Sequence, residues 1–189
     1  MNLALLAGLA GACAALILLE RAGLVRSLQL TFKGDIKRET GWLAQYGQGV
    51  CTVVAALLLY SLDPAHRDAV GPMLVAVFGT AVVAYAVKRI TGRVRPNREG
   101  AGRFLGFTLR HQNWRESFPS SHSASAVALS VFLSGLYPQA AAVFWGLAIA
   151  CALLRFVLDA HWLSDVLGGV ALGYAGAMLV ARWFGVFAG

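Results

Sequence analysis

Six apolar stretches separated by polar ones dominate this chain and confine it to a bundle of buried or lipid-embedded helices. A bilayer-spanning helix takes about 20 mainly apolar residues, and the candidates are residues 2–19, 47–62, 70–87, 120–136, 140–154 and 163–186. The second and fifth are short and are expected to extend into their flanks. In lipid every backbone polar group must be satisfied within its own segment or in a closed barrel, so all six are expected to be helices. Composition agrees: the chain is 58% hydrophobic and 13% charged, against roughly 45–50% and 25% in soluble domains. The expectation is one domain over 1–189, an all-α polytopic membrane protein with six transmembrane helices in a bundle.

The net charge is +7, and thirteen of the sixteen basic residues are arginine. In a soluble protein that balance would suggest nucleic acid. Here the spans leave no room for a nucleic-acid module, so anionic lipid or phosphate is the expected partner. Cys13, Cys51 and Cys151 lie in apolar stretches without Cys-x-x-Cys spacing and read as small buried hydrophobes. The N-terminus lacks a basic n-region, so its apolar stretch is expected to stay as the first span.

Two connections are long. Residues 20–46 mix apolar and charged side chains, and Leu24, Leu28, Leu30 and Ile36 suit an amphipathic interfacial segment. Residues 88–118 are Arg- and Gly-rich and too polar to cross a bilayer. Gly168, Gly169, Gly173 and Gly176 have small-xxx-small spacing in the last stretch, which allows close helix approach.

Three polar clusters stand at span ends, where ionisable groups are costly and point to function. The first is Lys88 with Arg95 and Pro96. Terminal Lys and Arg also snorkel to headgroups, but a point-charge Lys beside a forked Arg suits phosphate oxygens. The second is Pro119-Ser120-Ser121-His122. Pro at a helix start leaves the following N–H groups unpartnered, so the amides of Ser120, Ser121 and His122 can cradle an anion. A capped helix with an interfacial histidine is the plainer alternative. The third is Arg155 with His161 and Asp165. Four residues apart on a helix, Asp165 can accept from His161 and orient its ring; alternatively, Arg155 pairs with Asp159 as a structural ion pair. With six spans, all three clusters share one membrane face, and a single active site there is expected.

Lys88-x6-Arg95-Pro96, Pro119-Ser120-x-His122 and Arg155-x5-His161-x3-Asp165 closely resemble the three-part signature of the type-2 phosphatidic acid phosphatase superfamily, which includes bacterial acid phosphatases and vanadium haloperoxidases. Two positions depart from it. Ser121 stands where the family usually has Gly, and Leu154 stands where Ser usually precedes the Arg. The resemblance implies that His161 attacks phosphorus to form a phosphohistidine, oriented by Asp165. It further implies that His122 protonates the leaving oxygen and then activates water. Should His122 only bind the phosphate, His111 in the Arg-rich connection is the next candidate for the acid. Lys88, Arg95, Arg155 and the Ser120–Ser121 amides would hold the phosphoryl oxygens. No metal and no cofactor are expected, since Lys and Arg supply the positive charge and no carboxylate or His cluster has metal-ligand spacing.

The implied substrates are lipid phosphates or diphosphates: undecaprenyl diphosphate, phosphatidylglycerol phosphate, phosphatidate or lipid A phosphate. A phosphotransferase passing the group to an alcohol uses the same residues, and an anion channel or transporter is the non-enzyme alternative. Resemblance implies a bacterial inner membrane and an active site on the periplasmic face. Charge argues the reverse: on the six-span layout fourteen basic residues share the site's face and only Arg67 and Arg182 oppose it, which favours the cytoplasm. The oligomeric state is left open.

Overall fold

The computed structural model describes residues 1–28, 30–158 and 161–187. Among these, seven α-helices form: α1 (Leu3–Arg21), α2 (Gly34–Leu43), α3 (Gly49–Leu62), α4 (Val70–Thr91), α5 (Ser121–Leu136), α6 (Ala141–Val157) and α7 (Leu163–Phe184). Arg93 and Phe104 form an isolated antiparallel bridge.

Four helical segments are long and apolar enough to cross a membrane: Leu3–Arg21, Pro64–Thr91, Pro138–Val157 and Leu163–Phe184. A fifth candidate is the pair Gly34–Gly47 and Gly49–Leu62, bent by 66°. The sixth expected span, α5, has 16 residues and is roughly 24 Å long, short of a hydrocarbon core of about 30 Å. Length and composition therefore support four or five spans where the sequence suggested six. The reason lies in burial: every residue from Ser123 to Leu133 is buried, so α4, α6 and α7 surround α5 where lipid would otherwise be.

Lipid tails are as apolar as leucine, so close packing and interhelical hydrogen bonds hold such a bundle. Met73 and Val77 of α4, Leu129 and Phe132 of α5, Cys151 of α6 and Ala177 of α7 share one core. Ser130 on α5 donates to the Phe144 carbonyl at 2.8 Å and meets the Tyr46 hydroxyl at 3.0 Å. A Cβ on Gly169 would meet the Ser120 carbonyl, and one on Gly173 the Ala124 carbonyl, so α7 lies against the backbone of α5. The glycine stripe is thus a packing feature, as its spacing suggested. Cys13 and Cys151 are buried and all three cysteines are free.

Of the expected amphipathic segment, Ile36 falls in α2, where Ile36 and Trp42 are exposed. Leu24, Leu28 and Leu30 are exposed outside any helix.

Candidate active site

The site is assembled where α4, α5 and α6 end or begin and where residues 92–120 fold back over them. Gly92 stops α4 in the left-handed region at φ 57°, its N–H returning to the Lys88 carbonyl at 3.0 Å; only glycine takes that conformation freely. The chain then doubles back, with Val94 N–H on the Arg103 carbonyl and Gly102 N–H on the Val94 carbonyl. This fold-back seats Arg95 next to the last turn of α4.

Lys88 is buried and donates to the Glu116 carbonyl at 2.8 Å. Glu116 is fixed in turn by the Gln112 N–H, by His111 Nδ1 at 3.0 Å and by Arg89 at 3.4 Å. Arg95 is held through Nε on the Asn113 carbonyl at 2.7 Å. Burial and the neighbouring Arg155 charge both push its guanidinium below the usual arginine range, so residues from two distant motifs face each other. Lys88, Arg95 and Arg155 all act electrostatically on His122, and Lys88 and Arg95 act on His161. Arg155 Nε is buried without a hydrogen-bond partner. Its alternative partner, Asp159, lies outside the described residues. The three sequence clusters therefore converge on one cationic pocket.

Two expectations about the second cluster change. Pro119 precedes the helix, and Ser120 is the N-cap. The Ser120 N–H is committed to the Asp165 carbonyl at 2.9 Å, while its hydroxyl caps Ser123. Ser120 thus ties α5 to α7, and the first amides of the helix proper belong to Ser121 and His122. Ser121 is not among the residues with positive φ, so the conformation used here does not require the family's usual glycine.

His161 is 1% exposed. Burial pushes its imidazole down to about 3, against which Asp165 pulls upward, so the ring is held neutral. Its Nδ1 stands 3.6 Å from Asp165 Oδ2, beyond hydrogen-bond range, and the atom has no hydrogen-bond partner. The expected His161–Asp165 hydrogen bond is therefore an electrostatic pairing in this state. Asp165 is occupied by others: Arg93 donates to Oδ1 at 2.7 Å, the Trp162 N–H to Oδ2 at 2.9 Å, and the Ser117 hydroxyl to Oδ2. Arg93, Glu20, Ser117, Ser164 and Glu116 were not singled out in the sequence. A signal existed for Glu20, an acid inside the last turn of an apolar helix. His111 is at the rim, its side chain 68% exposed and paired with Glu116. Among the described residues, no three His, Cys, Asp or Glu side chains gather into a metal-holding group.

At its polar end this helical bundle brings two histidines together with Lys88, Arg95 and Arg155. Residues 69–187 match the PAP2 superfamily, and the chain belongs to that family. Its relatives include the lipid A 1-phosphatases of Rhizobium johnstonii, 32% identical over 56% of this chain and 43% of that protein, and of Rhizobium etli, 31% identical over 58% and 47%. The chain spans less than half the length of these curated relatives in the match. The fold is similar to the crystal structure of Aquifex aeolicus LpxE, with a TM-score of 0.64, 18% identity and coverage of 80% of this chain and 88% of that one. It is also similar to the PAP2-type phosphatidylglycerolphosphate phosphatase from Bacillus subtilis, with a TM-score of 0.61, 21% identity and coverage of 93% and 86%.

Proposed function

We propose that this protein is a membrane lipid phosphatase that hydrolyses a lipid phosphate monoester or diphosphate through a phosphohistidine on His161, without a metal ion. The convergence of Lys88, Arg95 and Arg155 on His122, and of Lys88 and Arg95 on His161, carries this reading. With Nδ1 toward Asp165, Nε2 is the attacking atom. The three cations and the Ser121 and His122 amides hold the phosphoryl oxygens and stabilise the charge that grows on them. His122, facing the same cations, protonates the leaving oxygen and then activates water. His111 is a poorer acid candidate because Glu116 holds it at the rim.

Lipid A carrying a 1-phosphate is the first substrate to test, since two sequence relatives are lipid A 1-phosphatases; phosphatidylglycerol phosphate is the second, from a fold relative. A cavity of about 510 Å³ lined by Val94, Arg98, Glu99, Arg103, Leu105 and Trp114 supports a headgroup seat on the 92–120 fold-back. The setting is a bacterial inner membrane with the site on the periplasmic face, α5 counting as a sixth, sheltered span. Purified protein in detergent, offered lipid A, phosphatidylglycerol phosphate, phosphatidate and undecaprenyl diphosphate, should release phosphate from at least one. Release from none, or equal release by His161→Ala, would overturn the proposal. Paired periplasmic and cytoplasmic activity reporters fused to the C-terminus test the orientation.

A further inference from the structure

Behind the catalytic pair lies a second charged group that the proposed chemistry does not yet use. Arg93 is completely buried. Its NH1 donates to Asp165 Oδ1 at 2.7 Å and to the Ser164 hydroxyl at 2.6 Å, and its NH2 to Glu20 Oε2 at 2.8 Å. The guanidinium carbon stands 5.1 Å from the Phe104 ring centre and 5.4 Å from that of Trp162. Glu20, with 2% of its side chain exposed, accepts the Ser164 N–H at 3.0 Å and the Ser164 hydroxyl. It therefore caps the first turn of α7 from the last turn of α1. Glu20 also precedes the segment, 69–187, that matches the family.

Two features separate this group from an ordinary structural ion pair. A carboxylate at the C-terminal end of its own helix opposes the macrodipole, and burying each charge is costly before pairing; Glu20 does not stabilise α1 by being there. The formal charges also do not cancel. Arg93 alone would neutralise Asp165, whereas Glu20, Arg93 and Asp165 together keep one net negative charge beside His161.

We infer that Glu20 and Arg93 are positioning residues of the phosphatase site, acting through Asp165 on His161. Arg93 locks Oδ1, and the Ser117 hydroxyl and Trp162 N–H lock Oδ2, so the carboxylate cannot rotate away from the ring. Glu20 cancels the guanidinium's charge, leaving Asp165 effectively anionic. That charge matters in one step: the bond from His161 Nε2 to phosphorus forms while the phosphorus–oxygen bond to the lipid breaks, the departing oxygen takes the proton of His122, and the imidazole, still protonated at Nδ1, becomes cationic. A preoriented anion stabilises that cation as it develops.

The inference rests on the phosphatase reading, and four variants test it on the lipid phosphate that wild type hydrolyses best. Glu20→Gln keeps the shape and removes one negative charge; kcat should fall about tenfold or more, while the inhibition constant for inorganic phosphate stays within about twofold, because Lys88, Arg95 and Arg155 are untouched. Arg93→Met should lose more, Arg93→Lys somewhat less than Arg93→Met, and Glu20→Gln/Arg93→Met, which restores the net charge, should regain part of what Arg93→Met lost. A purely structural role would lower thermal stability and leave kcat per folded molecule unchanged. Turnover of Glu20→Gln within about twofold of wild type, or additive losses in the double variant, would overturn the inference. If Arg93→Met does not fold, Glu20→Gln decides alone. An inactive wild type would overturn the phosphatase reading with it, whereas active wild type, inactive His161→Ala and unaffected Glu20→Gln would remove this inference only.

Discussion

His161 and His122 divide the proposed chemistry because their surroundings differ. His161 is sealed in and held neutral, its imidazole pushed down to about 3 chiefly by burial. The unfolded chain, with an ordinary histidine near 6.5, binds the extra proton throughout the interval between those values. Stability therefore falls as pH drops through 6.5 toward 3, by on the order of 2–3 kcal/mol at pH 4.5 from this residue. His161→Gln should show a flatter loss of stability between pH 7 and 4.5 in denaturant titrations than wild type; parallel curves would contradict the buried neutral ring. His122 faces three cations and has a different duty. If it is the general acid, its removal should hurt poor leaving groups most. His122→Ala should lose far more kcat/KM on a lipid phosphate monoester than on an activated aryl phosphate, whose phenolate leaves without a proton. Equal losses would mean that His122 only binds phosphate.

At the scale of the helices, α5 and α7 set the geometry, because Ser120, His122 and Asp165 sit at their facing ends. Alanine at Gly173 would drive a Cβ into the Ala124 carbonyl, with backbone Cα at 3.1 Å, and backbone cannot give way as a flexible side chain does. Overpacking of this kind costs about 1–3 kcal/mol, or about 2–4 °C in unfolding midpoint per kcal/mol for a chain of this size. Gly146→Ala on α6, where nothing lies within 4 Å, is the control and should not lower the midpoint. Equal responses at the two positions would contradict the close packing of α7 on α5. The helices were readable in the sequence because apolar runs of that length permit nothing else, and the three clusters because each motif is local. The bend between α2 and α3 and the shelter around α5 were not, since both depend on neighbours. Neither was the Glu20–Arg93–Asp165 group, whose partners lie 73 and 72 residues apart in segments that no periodicity connects.

For the molecule as a whole, the excess of basic residues that the six-span layout puts on one face has causes besides topology. Lys88, Arg95 and Arg155 act on His122, Arg93 is buried between two carboxylates, Arg89 meets Glu116, and Arg115 holds the Gly106 carbonyl at 2.7 Å. These residues have work in the folded state, which eases the conflict between the charge bias and a periplasmic site. The same cations bear on metal dependence: activity should persist in EDTA and be blocked by vanadate, a mimic of five-coordinate phosphorus, and loss in EDTA reversed by added Mg²⁺ would contradict this. The central claim is covalent catalysis by His161, and rapid quenching of the enzyme with radiolabelled lipid phosphate tests it most directly. The account predicts an acid-labile, base-stable phosphate on His161, absent in His161→Ala and formed orders of magnitude more slowly in Asp165→Asn. Undiminished turnover in His161→Ala, with no labelled enzyme at any quench time in wild type, would contradict it.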